Sequence, residues 1–178
     1  MATLSPETVR LAGGVRLIVV DSDGVLTDGR IIMSSDGTET RAFHVTDGLG
    51  IRLALKAGLR IGIISGRHSE VLARRATDLG IEELHQKTID KLGCLREMLE
   101  RAKLSPSELC FVGDDLIDLP AMRLAGFAAA PADARPEVLA AADYVCGREG
   151  GRGAVREVLD IVLRATGLWE SVTEDYVR

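Results

Sequence analysis

Two short runs of unbroken apolar residues in this chain stop abruptly at acids. Residues Val15 to Val20 hold Leu17, Ile18, Val19 and Val20 in a row and meet Asp21. Leu109 to Val112 repeats the pattern and, after Gly113, meets Asp114 and Asp115. A strand with one wet face alternates apolar and polar residues, whereas a strand buried on both faces reads as a continuous apolar run. The runs therefore predict a parallel sheet with helices on both sides.

The sequence between the runs supplies those helices. Asp47 is a cap for a helix to Ala57 that Gly58 ends, and Ser69 caps one to Leu79 that Gly80 ends. Lys91 to Lys103 carries Leu92, Leu95, Leu99 and Ala102 on one stripe. Ser105-Pro106-Ser107-Glu108 has capping-box spacing. Further helices are predicted over Leu116–Ala125, Pro136–Ala142 and Val155–Arg164, and further strands over Leu59–Ile64, Glu83–His85, Phe127–Ala130 and Tyr144–Cys146. Arg30 to His44 reads as a β-hairpin, with Ile31, Ile32 and Met33 in one arm, Ala42 and Phe43 in the other, and Asp36-Gly37 at the tip. It is too small for a domain and suits a flap. The fold class is α/β: a doubly wound parallel sheet in one domain over 1–178, with a tail from about 167 to 178 carrying Trp169 and Tyr176.

In such sheets ligands bind beyond the carboxyl ends of the strands, where the acids stand. Asp21-Ser22-Asp23-Gly24 closes the first strand. Two carboxylates there need compensation, and a divalent cation such as Mg²⁺ provides it; an ordinary Asp-Gly turn is the plainer alternative. Gly113-Asp114-Asp115-Leu116-Ile117-Asp118 has more acid than a helix cap requires. Ile64-Ser65-Gly66-Arg67 offers a hydroxyl and close backbone approach to phosphoryl oxygens, or simply a tight turn. Lys87 and Lys91 are both candidates for a phosphate-binding cation, against a solvated helix start.

These four motifs, in this order, resemble the haloacid dehalogenase superfamily. The hairpin directly after the first motif, without a cap domain, is similar to the 3-deoxy-D-manno-octulosonate 8-phosphate (KDO 8-phosphate) phosphatases. So are Phe43-His44-Val45-Thr46-Asp47-Gly48-Leu49-Gly50-Ile51-Arg52, Ala141 to Val145, and Gly150 to Glu157. The resemblance spans about Val15 to Trp169 and implies a Rossmann-like haloacid dehalogenase fold. It implies a Mg²⁺-dependent phosphatase with Asp21 as nucleophile and metal ligand. Asp23 is then the acid/base and a metal ligand through its carbonyl, and Asp114 the remaining ligand, with Asp115 and Asp118 in support. Ser65 and Lys91, the latter matching better than Lys87, hold the phosphoryl group. His44, Val45, Thr46, Asp47, Gly48, Arg52, Arg67 and Arg75, with Asp23 and Lys91, match substrate-binding positions.

The implied substrate is a small sugar acid phosphate in lipopolysaccharide biosynthesis, and the implied assembly a homotetramer whose hairpins and tails cover neighbouring sites. Thr46 stands where the family often has Arg, and Lys87 where it usually has Gly, which keeps open a nine-carbon acylneuraminate 9-phosphate as substrate. A non-catalytic module of a sugar-activating enzyme is the remaining alternative.

Composition narrows the partners. A net charge of -5 and an aromatic content of 3% disfavour nucleic acid. No apolar run approaches the ~20 residues that span a bilayer. Met1 to Gly14 lacks a signal peptide's basic start and apolar stretch, and three widely spaced cysteines suit a reducing compartment, so the expected location is cytoplasmic.

Overall fold

Six parallel strands form the central sheet in the order β5-β4-β1-β6-β7-β8, in a computed structural model that describes residues 4–177. They are β1 (Leu17–Val20), β4 (Arg60–Ile64), β5 (Glu83–His85), β6 (Leu109–Val112), β7 (Phe127–Ala130) and β8 (Tyr144–Val145). A separate antiparallel pair, β2 (Ile32–Met33) and β3 (Glu39–Thr40), makes the flap. The helices are α1 (Pro6–Gly13), α2 (Val45–Lys56), α3 (Glu70–Leu79), α4 (Lys91–Ala102), α5 (Leu119–Leu124), α6 (Pro136–Ala141), α7 (Ala154–Ala165) and α8 (Trp169–Val177). Residues 1–3 and 178 of the single-domain reading lie outside the described residues.

The continuous apolar runs behave as expected, because each strand serves both faces. In β1, Ile18 and Val20 join the core under α1, α2, α3 and α7, while Leu17 and Val19 join the core under α4, α5 and α6. β1 pairs with β4 on one side and β6 on the other. The order of connections reverses at β1, which puts the switch point, and hence the ligand crevice, at its carboxyl end.

Several elements differ from the sequence reading. α2 starts at Val45, not at Asp47, and His44 is its cap residue. The Asp47 carboxylate is buried and instead takes the Arg156 backbone N–H at 2.7 Å, so it caps α7 across the fold. The second flap arm is Glu39–Thr40, ahead of Ala42 and Phe43; Ser34 N–H bonds to Thr38 O at 3.0 Å and Gly37 sits at φ +85°. The predicted helix over 116–125 is a 3₁₀ turn, Leu116–Asp118, followed by α5. The stripe of α4 runs through Lys91, Leu95, Met98 and Leu99, with Leu92 only half-buried.

Both terminal helices were absent from the sequence reading. Ser5 caps α1 through the Thr8 N–H at 3.0 Å. The tail is the helix α8, packed on its own chain: Val172 is buried, Arg164 lies 3.8 Å from the Trp169 ring centroid, and Lys56 meets Asp175 at 2.9 Å. Among the described residues no helix is long and apolar enough to cross a membrane.

Lys87 occupies the left-handed region at φ +57°, which explains why glycine suits this position. A non-glycine residue there costs ~1–2 kcal/mol, more than the ~0.5–1 kcal/mol entropic penalty of glycine. Lys87→Gly is expected to raise unfolding free energy by roughly 0.5–1 kcal/mol and leave turnover unchanged. A fall in kcat would instead give Lys87 a part in phosphate binding.

Candidate active site

The carboxyl ends of β1 and β6 bring the two acidic motifs together. Asp21 follows β1 and donates its N–H to Val112 O at 3.0 Å, which locks the first motif to the strand that carries the second. The chain then makes a wide turn over Ser22–Leu26, closed by Thr27 N–H to Ser22 O at 3.1 Å. Gly24 is required in that turn. Its φ is +96°, and an added Cβ would stand 2.5 Å from the Asp114 carboxyl carbon. The loop from Gly150 to Gly153 backs the turn, with Gly151 N–H on Val25 O at 2.9 Å.

Lys91, at the start of α4, is only 1% exposed at its side chain and is among the largest fully buried side chains. Its Nζ lies 2.8 Å from Asp21 Oδ1 and 2.6 Å from Asp118 Oδ1. Burial alone would depress the ammonium's pKa, but Asp21 and Asp118 outweigh that and hold it above its ordinary value. Lys91 is thus the lysine that reaches the carboxylates, while Lys87 is exposed on the loop between β5 and α4.

Asp21, Asp114 and Asp118 each bring an oxygen within 4.8 Å of the others. The three are not equivalent. Asp118 spends Oδ1 on Lys91 and Oδ2 on the N–H groups of Asp114 and Asp115, at 3.0 and 3.2 Å. It organises the loop and has little left for a ligand. Asp114 Oδ1, by contrast, is buried without a hydrogen-bond partner. Burial first, then Asp21 and Asp118, push the Asp114 carboxyl up to about 8; burial, only partly offset by Lys91, pushes Asp21 up to about 6. An orphaned buried oxygen between hard carboxylates is the donor set of a divalent cation such as Mg²⁺.

Ser65, at the end of β4, is buried, and its Oγ accepts the Arg67 N–H at 3.3 Å. Arg67 is exposed, with Nε 3.7 Å from Asp23 Oδ2. Asp23 is also gripped by Arg41, a residue that sequence reasoning missed. Arg41 ends the flap's second arm in a polar stretch that reads as surface, yet its side chain is 2% exposed. No sequence signal distinguishes it.

The other expected substrate residues gather elsewhere. His44 Nδ1 and Thr46 Oγ1 lie 2.7 Å apart and line a cleft of about 970 Å³ with Arg148, Arg152 and Arg156, whose lining includes none of Asp21, Asp114 and Asp118. Val45 is 81% exposed. Arg75 lies over Phe43, 5.6 Å from the ring centroid, against Gly48, and Arg52 donates to Asp78 O at 2.9 Å across the α2–α3 seam. Asp115 is exposed and caps the 3₁₀ turn through the Leu116 N–H at 2.7 Å.

Comparisons with known proteins give the chain its relatives. Residues 63–159 match the family model of haloacid dehalogenase-like hydrolases. The chain is 44% identical over 164 residues to the 3-deoxy-D-manno-octulosonate 8-phosphate phosphatase KdsC of Salmonella typhimurium, covering 92% of this chain and 87% of the relative. The crystal structure of the Yersinia pestis phosphatase of that name superposes with a TM-score of 0.93 at 42% identity, covering 94% of this chain and 90% of the other. That of the Moraxella catarrhalis phosphatase, in complex with magnesium, phosphate and KDO, gives a TM-score of 0.94 at 38% identity, covering 97% and 99%.

The raised carboxyls make the metal-free protein pH-sensitive. Asp21 and Asp114 hold protons in the folded state up to about 6 and about 8 that the unfolded chain has already lost. Their contribution is therefore full below about pH 4 and fades as pH rises toward about 8. With a chelator, Tm is expected to fall across that window, and added Mg²⁺ to restore it most at the alkaline end. A Tm indifferent to both pH and Mg²⁺ would count against one shared, buried site.

Proposed function

The chain belongs to the haloacid dehalogenase-like hydrolases, among the KDO 8-phosphate phosphatases, and from that premise we propose that it hydrolyses 3-deoxy-D-manno-octulosonate 8-phosphate through an aspartyl-phosphate on Asp21. One observation carries the reading: the Asp21 carboxylate stands at the carboxyl end of β1, 2.8 Å from the Lys91 ammonium and beside the unpartnered oxygen of Asp114.

Asp21 attacks phosphorus in line with the departing sugar oxygen, and a covalent intermediate splits one hard displacement into two. Asp23 gives its proton to the leaving oxygen, then takes one from the water that hydrolyses the aspartyl-phosphate. Lys91 fixes Asp21 in its attacking orientation and, with Ser65, offsets charge on the transferring oxygens. The Asp21 and Asp114 carboxylates and the Asp23 carbonyl would hold Mg²⁺, which when bound supplies Lewis-acid neutralisation of carboxylate and phosphate. Arg67 is exposed beside Asp23 and is available to an arriving anion.

The named relatives favour the eight-carbon acid over an acylneuraminate 9-phosphate. The complete set of Asp21, Asp23, Lys91 and Asp114 speaks against a non-catalytic module. Three free cysteines are compatible with a cytoplasmic location. The test is kcat/KM on the two sugar acid phosphates with Mg²⁺. KDO 8-phosphate is expected to be preferred by at least ~10-fold, on the order of one pocket contact. Asp21→Asn is expected to keep its fold and lose turnover. Preference for the nine-carbon ester would overturn the substrate, and a near wild-type Asp21→Asn rate the nucleophile.

The assembly that suits this surface is a homotetramer. Ile31, Ile32 and Met33 on the flap are 44%, 52% and 60% exposed, an apolar arm that a second copy would cover. α8 lies on its own chain, which leaves the flap as the element available to shield a neighbour's site. Light scattering is expected to give a mass of four chains for the wild type and a smaller particle, with reduced turnover, for Met33→Glu. A monomeric wild type of full activity would end this reading.

A further inference from the structure

Arg41 is the only guanidinium among the described residues that is buried, and it is held entirely by acids and a hydroxyl around the first motif. Its Nη1 donates to Asp23 Oδ1 in a close contact, and its Nη2 to Asp23 Oδ2 at 3.4 Å, so the fork engages both carboxylate oxygens. Nη1 also reaches Ser22 Oγ at 3.2 Å. Nε donates to Glu39 Oε1 in a second close contact, and Glu39 is a residue of β3 in the flap. One planar cation therefore joins the flap strand to the carboxylate beside the nucleophile. Burial opposes the charge on Arg41, but Glu39 and Asp23 outweigh it and hold the guanidinium charged.

This arrangement exceeds what packing asks for. A buried ion-pair cluster replaced as a whole by apolar side chains would cost stability little, whereas removing Arg41 alone would leave Asp23 and Glu39 unpaired. What the pair of contacts adds is orientation. A bidentate guanidinium fixes both the position and the plane of its carboxylate, and the opposite edge of the same group is fastened to the flap, whose residues from Ile31 to Thr38 are all exposed.

We propose that Arg41 is a positioning residue that sets the Asp23 carboxylate for proton transfer and, through Glu39, makes that setting depend on how the flap is seated. The inference rests on the acid/base role given above to Asp23. Arg41 touches neither the nucleophile nor Lys91. Its effect is on the proton that leaves Asp23 for the sugar oxygen, and not on the bond between Asp21 and phosphorus. The seated flap keeps Glu39 on Nε and leaves the fork free to hold Asp23.

The test compares two leaving groups in the first turnover of the Mg²⁺-loaded enzyme. A sugar alkoxide needs a proton to depart, whereas p-nitrophenolate does not. General acid catalysis is worth ~10²–10⁴-fold. Arg41→Met and Glu39→Gln are therefore expected to slow release of the sugar by at least ~10-fold, to leave p-nitrophenol release within about 3-fold of wild type, and to change KM little. Arg41→Lys is expected to recover part of the loss, since it returns the charge without the fork.

Asp23→Asn separates this inference from the reading beneath it. If Asp23→Asn is selective for the sugar ester and the Arg41 and Glu39 variants are not, Arg41 is structural and the inference fails. If Asp23→Asn itself slows both esters alike in the first turnover, the acid role of Asp23 fails first. Glu39→Gln alters only a part-exposed residue of the flap, so a destabilised Arg41→Met does not leave the question open.

Discussion

Three carboxylates, Asp21, Asp114 and Asp118, share one buried ammonium at the carboxyl edge of the sheet. Most of the site follows from that imbalance. An isolated charge cannot be buried without heavy cost, and a cluster of like charges raises proton affinity until one of them is neutral. Lys91 satisfies Asp21 and Asp118 together, and Asp118 uses its second oxygen on the loop N–H groups. Asp114 remains, raised to about 8 with an oxygen that bonds to nothing. Within this cluster the fold has left a position that a proton or a cation can satisfy.

The sheet makes this tolerable because it fixes the acids before they meet. β1 and β6 are adjacent and in register from Leu17 opposite Leu109 to Val20 opposite Val112. The residues after each strand must then emerge side by side. Gly24 allows the first turn to pass over the Asp114 carboxylate, where any side chain would collide with it. α4 delivers Lys91 from the opposite layer, anchored by Leu95, Met98 and Leu99 in the core between α4, α5 and the sheet. Packing supplies the free energy that the charge cluster consumes.

What the sequence revealed follows the same division. The apolar runs had to be continuous because alternate residues of β1 feed opposite cores, so the strands, their order of helices and the acids at their ends were readable. Asp47 was read as a cap, which it is, but for the wrong helix. A capping aspartate looks the same in sequence whether its helix begins beside it or, as with Arg156, 109 residues further along the chain. α1 buries only Thr8 and Ala12, and among the described side chains of α8 only Val172 is buried, so neither offers a stripe of large core residues to read. Arg41 was hidden for a related reason. Its neighbours Thr40 and Ala42 are exposed and Glu39 reads as a surface acid, and only the return of the flap over the Ser22–Leu26 turn puts the guanidinium indoors.

The charges around the first motif fall into two halves with different tasks. On the Asp21 side, three carboxylates face one ammonium, which draws a cation and repels an anion. On the Asp23 side, Asp23 and Glu39 face Arg41, with Arg67 exposed alongside. That half is balanced by its two guanidiniums, of which Arg67 also faces solvent. A phosphate ester carrying a second acid group could not approach the first half without a metal, but it can approach the second. In the mechanism proposed above, this separation suits a crevice that takes a cation and a polyanion side by side, with Asp23 on the guanidinium side as the acid for the leaving oxygen.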